Sequence, residues 1–279
     1  MKTPEQLKGQ IRSFAVKHKL MSQELLQMYL FERVLERLAA SAYKDNFILK
    51  GGLLISSMLG IHERTTMDMD TTVTGITMDE TEIAEILKEV LTVDVSDGIV
   101  FEYKKIEPIR ENDDYYNFRV YFNAVYGKIR NPMKIDITTG DQITPAAIEY
   151  KYRCIFDNVS IPVKTYTPET IIAEKYETII RRNIGTTRAR DFYDLLRMFE
   201  LYKERISPTL LRQAVNNTSR KRGSEEELSE WRDICREMRD DTGLQRLWEN
   251  YTQTNEFARE MTFAEVLNAV EDVGTYINE

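Results

Sequence analysis

The sequence predicts an α+β protein: a mixed sheet with flanking helices over residues 1–166, followed by a helical domain over residues 167–279. Three observations lead there. Early in the chain, helix-start signals precede apolar residues at helical spacing. Between residues 98 and 165, β-prone runs alternate with turn residues. From Thr167-Pro168 onward only helical signals recur.

Taken in order, Thr3-Pro4 places a capping hydroxyl before a proline in a first helical turn. Ser22 is positioned to cap a helix whose apolar face includes Leu26, Leu30, Val34 and Leu38. Phe47-Ile48-Leu49 reads as a short strand, followed at once by Gly51-Gly52 and a helix-forming stretch through Leu59. A second strand is expected over residues 69–74. Thr77-Met78-Asp79-Glu80 has the pattern of a capping box ahead of Ile83, Ile86, Leu87 and Val90. Ile99-Val100-Phe101, Phe118 to Phe122, Lys134 to Ile137 and Ile161-Pro162-Val163 read as strands, with Gly127 and Asn131-Pro132 as turns. Further helix starts are expected at Ser207-Pro208, Ser224…Glu227 and Thr262…Glu265.

Composition narrows the chemistry. With 42% hydrophobic residues in 279, there is ample material for a core, which excludes wholesale disorder. Cys154 and Cys235 are the only cysteines, too few for a disulfide framework or a zinc site. His18 and His62 are the only histidines, which excludes a multi-histidine metal centre. No apolar run approaches the ~20 residues needed to cross a bilayer, and the first residues carry no signal-peptide stretch. A cytoplasmic location without a membrane partner is expected.

The net charge is −8, yet it is unevenly spread. Residues 166–223 hold 12 Lys/Arg against 7 Asp/Glu, whereas residues 224–279 hold 5 against 15. The positive stretch is a candidate phosphate-facing surface and the acidic one reads as a solvated helical face.

The informative segment runs from Asn46 to Val73. Gly51-Gly52, at a strand-to-helix turn, allows close backbone approach and offers free N–H groups to a phosphate, although an isolated glycine pair is more often an ordinary turn. In a strand over 69–74, Asp68 and Asp70 point to one side with Met69 opposed. Two such carboxylates repel unless a cation neutralises them, and hard oxygen ligands suit Mg²⁺. The default for an isolated Asp-X-Asp is a solvated surface pair. Asp136, between Ile135 and Ile137, is the candidate third carboxylate of a two-metal phosphoryl-transfer site; the competing reading leaves it half exposed on an edge strand. Arg181, Arg182, Arg188 and Arg190 are candidates to hold a triphosphate or RNA phosphates, or simply a solvated helix face. Tyr115, Tyr116, Tyr121 and Tyr126 are candidates to stack on a base, or to pack within a sheet.

These motifs carry a resemblance. Gly51-Gly52, then Arg64-Thr65-Thr66-Met67-Asp68-Met69-Asp70, then the Lys-Ile-Asp-Ile strand resemble nucleotidyltransferases of the DNA polymerase β-like fold. More narrowly, with Ala173-Glu174-Lys175 and Arg188-Ala189-Arg190-Asp191-Phe192-Tyr193-Asp194-Leu195, the chain resembles the AbiEii toxins of type IV toxin–antitoxin, abortive-infection systems. Many polymerase β-like enzymes have Gly-Ser where this chain has Gly51-Gly52, so a hydroxyl contact to phosphate would be missing.

The resemblance implies metal binding by Asp68, Asp70 and Asp136, and a nucleotide held by Gly51, Gly52, Arg64, Lys175, Arg188 and Arg190. Lys175 and Asp191 join the three carboxylates as catalytic candidates, and for Arg64 and Asp194 a structural role weighs equally. It implies a Mg²⁺-dependent enzyme using an NTP, with GTP favoured, and an RNA acceptor such as tRNA. It also implies growth arrest in phage defence, and a co-encoded antitoxin that acts without a stable complex. Two other readings stand beside it: an antibiotic-type nucleotidyltransferase with a small-molecule acceptor, and a non-catalytic nucleotide-binding interaction module.

Overall fold

The structure, a computed structural model, describes residues 2–109 and 117–278. Tyr115 and Tyr116 lie outside the described residues. The chain divides into two compact units, residues up to 141 with 148–165, and residues 142–147 with 166 onward.

The first unit contains α1 (Pro4–His18), α2 (Ser22–Ala40), β1 (Phe47–Lys50), α3 (Gly51–Leu59), β2 (Met69–Val73), α4 (Glu80–Thr92), β3 (Val100–Ile109), β4 (Asn117–Tyr126), β5 (Ile129–Thr139), β6 (Ile148–Arg153) and β7 (Ser160–Thr165). Its seven strands form one sheet in the order β3-β4-β5-β2-β1-β7-β6. The pairs β2/β5 and β1/β7 are parallel and the rest antiparallel, so the sheet is mixed, as expected. Alternate residues of β5, from Ile129 through Met133 and Ile135 to Ile137, are buried, the period-two pattern of a strand with one covered face.

Asn131-Pro132 is not the turn its composition suggests but lies inside β5, opposite Ala124 and Asn123. Strand β2 meets β5 only from Ile135 onward, so at Pro132 the strand has a free side where a missing N–H costs no ladder bond. Strand β6 is an unexpected element. It is an edge strand whose alternation carries one deeply buried residue, Tyr152, too weak a signal to stand out.

Helix caps differ from expectation in detail. Thr3 forms a capping box with Gln6, and Thr262 forms one with Glu265. Ahead of α4 it is Asp79, not Thr77, that caps, accepting from the N–H groups of Thr81 and Glu82. Ser22 is the first residue of α2 rather than its cap, and Ser207 makes no side-chain cap bond.

Helix α2 carries buried polar groups that fasten loops. Arg37 donates to both oxygens of Asp97, at 2.7 and 2.8 Å, and to the carbonyl of Ile99 at 2.7 Å. Fully buried Glu32 accepts from the N–H of Ile155 at 2.7 Å. Burial pushes its carboxyl up to about 8, outweighing that bond and the nearby Arg33 guanidinium.

The second unit is helical: α5 (Pro168–Arg182), α6 (Ala189–Tyr202), α7 (Pro208–Arg222), α8 (Glu225–Ser229), α9 (Trp231–Asp240), α10 (Thr242–Thr254) and α11 (Phe263–Tyr276). Thr167 caps α5, and its hydroxyl donates to the carbonyl of Thr144 at 2.6 Å, drawing residues 142–147 to this unit. Buried Glu177 joins three helices by accepting from Arg181 at 2.6 Å, Arg222 at 2.6 Å and Ser224 Oγ at 2.8 Å. Ser224 is thus drawn to Glu177 and makes no cap bond to α8. No helix among the described residues is long and apolar enough to cross a membrane.

Candidate active site

The first candidate cluster is built on one row across the sheet. Lys50 of β1 pairs in register with Asp70 of β2, Asp70 with Asp136 of β5, and Asp136 with Arg119 of β4. Residues on one such row share a face, so two carboxylates stand side by side between two cations. Asp68, two residues before Asp70, and Lys134, two before Asp136, share that face one step along. Like charges directly opposite each other destabilise a sheet, so an Asp70–Asp136 rung calls for cationic compensation.

Part of that compensation is internal. Arg119 reaches Asp136 with two bonds of 2.7 Å, Nε to Oδ1 and Nη2 to Oδ2. That contact holds the guanidinium above its ordinary basicity. Lys134 Nζ lies 2.9 Å from Asp68 Oδ1. Lys50 Nζ donates to Asp141 at 2.6 Å, and Asp141 also accepts from Thr138 at 2.8 Å.

The two glycines are required by what lies over them. Gly51 has a φ of +64°, and a Cβ there would stand 2.1 Å from Asp70 Oδ2. A Cβ on Gly52 would stand 2.7 Å from Thr66 Oγ1 and 2.8 Å from an Arg64 guanidinium nitrogen. Arg64 is buried, donates to the carbonyl of Thr65 and accepts from Ser56 at its own carbonyl. Thr66 Oγ1 accepts from the N–H of Asp68 at 3.2 Å. The start of α3 and the loop leading to Asp68 and Asp70 are therefore fitted to each other. His62 stands outside this arrangement, its ring 6.1 Å from that of His18.

The second cluster lies within the helical unit. Lys175 Nζ, on α5, is 2.6 Å from Asp191 Oδ1 and 3.0 Å from Asp194 Oδ2, both on α6. Arg188 Nε donates to Asp191 Oδ2 at 2.5 Å. Burial alone would raise the Asp191 carboxyl, yet Lys175 and Arg188 together hold it below the ordinary carboxylate range. Asp191 also lies in the first turn of α6, where the helix dipole favours an anion. Arg190 is half-buried on that same turn. Arg181 directs its Nε to Glu177, and Tyr126 donates to the carbonyl of Lys2.

The profile of one family, nucleotidyl transferase AbiEii toxin, type IV toxin–antitoxin system, matches residues 33–269, a span that includes both clusters. The chain belongs to this family. It is accordingly a nucleotidyltransferase, and the family implies an NTP substrate and an antitoxin partner. Among solved structures, JHP933 from Helicobacter pylori is 17% identical over 93% of this chain and 95% of its own, with a TM-score of 0.49. An antigenic nucleotidyltransferase-like protein from Paracoccidioides brasiliensis is 17% identical over 75% of this chain and 93% of its own, with a TM-score of 0.41. None of the curated proteins matches the chain.

Nucleotidyltransferases of this kind generally take a divalent metal, and the AbiEii-family chain offers donors of the right chemistry. Adjacent carboxylates on one rung are hard oxygen ligands whose repulsion a divalent cation removes. As the side chains stand, Asp136 is turned to Arg119 and Asp68 to Lys134, and among the described residues no three of His, Cys, Asp and Glu are grouped as a metal cluster.

Arg119, Lys134 and Lys50 are the residues that sequence reasoning passed over. Lys134 had a signal, since it shares a strand face with Asp136. Arg119 looks like any outward charge on an amphipathic strand until the register sets it beside Asp136.

Proposed function

We propose that this AbiEii-family nucleotidyltransferase is a Mg²⁺-dependent toxin that transfers NMP from an NTP, with GTP favoured, to an RNA acceptor such as tRNA. The observation that carries the reading is the Asp70–Asp136 rung with the glycine turn against it. Asp68, Asp70 and Asp136 would hold the metal, which supplies charge neutralisation at the α-phosphate and activation of the acceptor hydroxyl.

The chain's own residues have separate tasks. Gly51 and Gly52 open the N-terminus of α3 to phosphate oxygens, and Arg64 keeps that turn and the Asp68–Asp70 loop in fixed relation. In the helical unit, Lys175 is a point charge for nucleotide phosphate, fixed by Asp191 and Asp194. Arg188 and Arg190 add cationic donors on the same turn of α6. The preference for GTP and for tRNA, phage defence, a cytoplasmic location, and an antitoxin that acts without a stable complex are supported by family resemblance.

Incubation with each α-labelled NTP, Mg²⁺ and total RNA tests the reading. A labelled band of tRNA size, strongest with GTP and absent for Asp70→Asn, is expected. Label confined to a small-molecule product would replace RNA with an antibiotic-type acceptor. No transfer to any acceptor, from protein that stops growth in cells, would overturn nucleotidyl transfer as the toxic activity.

A further inference from the structure

We infer that Arg119 is a positioning residue that competes with the divalent cation for Asp136, so that metal loading requires this guanidinium to let go of the carboxylate. The inference rests on the proposed metal site and adds to it an internal competitor.

Four observations carry it. The Arg119–Asp136 contact is two-pronged, with both bonds at 2.7 Å, and so occupies both oxygens a metal would use. Arg119 has two carboxylate neighbours in register, Asp136 on β5 and Glu107 on β3. Glu107 is taken by Lys105, and the guanidinium turns to Asp136. The contact is accessible, with the Arg119 and Asp136 side chains 33% and 19% exposed, so exchange with an ion from solution needs no unfolding. Finally, Tyr121 lies two residues on from Arg119 along β4 and so shares its face of the strand.

The physical consequence is a threshold. An Asp70–Asp136 rung with no counter-charge would be costly, and with a permanent one it would reject a metal. A cation on a long side chain resolves both, because it neutralises the carboxylate and then yields to a divalent ion of higher charge density. Lys134 stands in the same relation to Asp68, but through a single 2.9 Å contact at a more exposed pair, and is the weaker competitor.

The test is Mn²⁺ binding to the purified full chain, read by the loss of free-ion electron paramagnetic resonance signal, with circular dichroism to establish folding. Arg119→Met should bind Mn²⁺ roughly fivefold more tightly than the wild type. Arg119→Lys keeps the charge but loses the fork, and should also tighten binding, by less. In an Asp136→Asn background the Arg119→Met change should have no further effect. Equal tightening with and without Asp136, or wild-type affinity in both Arg119 variants, would overturn the competition. Asp70→Asn separates the two claims. Loss of Mn²⁺ binding there supports the metal site independently of Arg119, whereas undiminished binding overturns the site, and the inference with it.

Discussion

The two ionic clusters use the same residue types in opposite ways. On the sheet, Asp68 and Asp136 each meet a cation of their own near solvent: Lys134 and Asp68 are 35% and 47% exposed, Arg119 and Asp136 33% and 19%. Between α5 and α6, one lysine serves two acids that are almost sealed, Asp191 at 3% and Asp194 at 0%. Exposed pairs gain little and are exchangeable, whereas a buried charge that loses its partner is expensive. The sheet cluster is thus built for cations to come and go, and the helical cluster to hold one ammonium in a fixed place.

That contrast can be broken most directly at Lys175. Lys175→Met leaves two buried carboxylates without it and should cost about 3–5 kcal/mol, measured by urea unfolding. A loss under ~1 kcal/mol would mean that the helical cluster does not depend on its lysine.

Glu32 tests whether burial, rather than location in one unit, sets the scale. Its carboxyl is raised in the folded chain, so the folded state binds the extra proton. Its contribution to stability should be greatest below the ordinary glutamate range and fall as pH rises towards about 8. The slope should approach 1.4 kcal/mol per pH unit, on the order of the single-proton limit. Glu32→Gln should flatten it, and a thermal-melt series across that window would expose an unchanged slope.

Gly51→Ala probes the turn beneath the sheet cluster. Left-handed backbone and the collision with Asp70 should together cost ~2 kcal/mol and abolish toxicity in a growth assay. A stable, fully toxic variant would show that the turn can relax without consequence.

The smallest effect on stability should come from Asp68→Asn, within about 1 kcal/mol, because its partner is exposed. Toxicity should nevertheless disappear. Loss of activity without loss of stability here, against a large loss of stability at Lys175, is the sharpest form of the contrast.

Much of this was legible before any coordinates. Period-two spacing put Asp68 and Asp70 on one face, and Thr167-Pro168 marked the start of α5. What escaped depended on partners distant in the chain. Asn131-Pro132 reads as a turn unless it is known that β2 begins opposite Ile135. Ser224 reads as a cap until Glu177 claims its hydroxyl. Arg119 is one outward charge among many, and only strand register makes it a neighbour of Asp136. Local chemistry announces elements and caps; competition for a side chain is decided by the fold.

The fit between Gly51 and Asp70 has a hereditary consequence. A side chain at 51 needs the space that the Asp70 carboxylate fills, so a change at one position bears directly on the other. A lineage that replaces the glycine gains nothing by keeping the acid, and once the acid has gone the glycine has no defender. Restoring either alone brings back no function. Once both positions are lost, inactivation at this pair is therefore a ratchet, entered one nucleotide change at a time and left only by two.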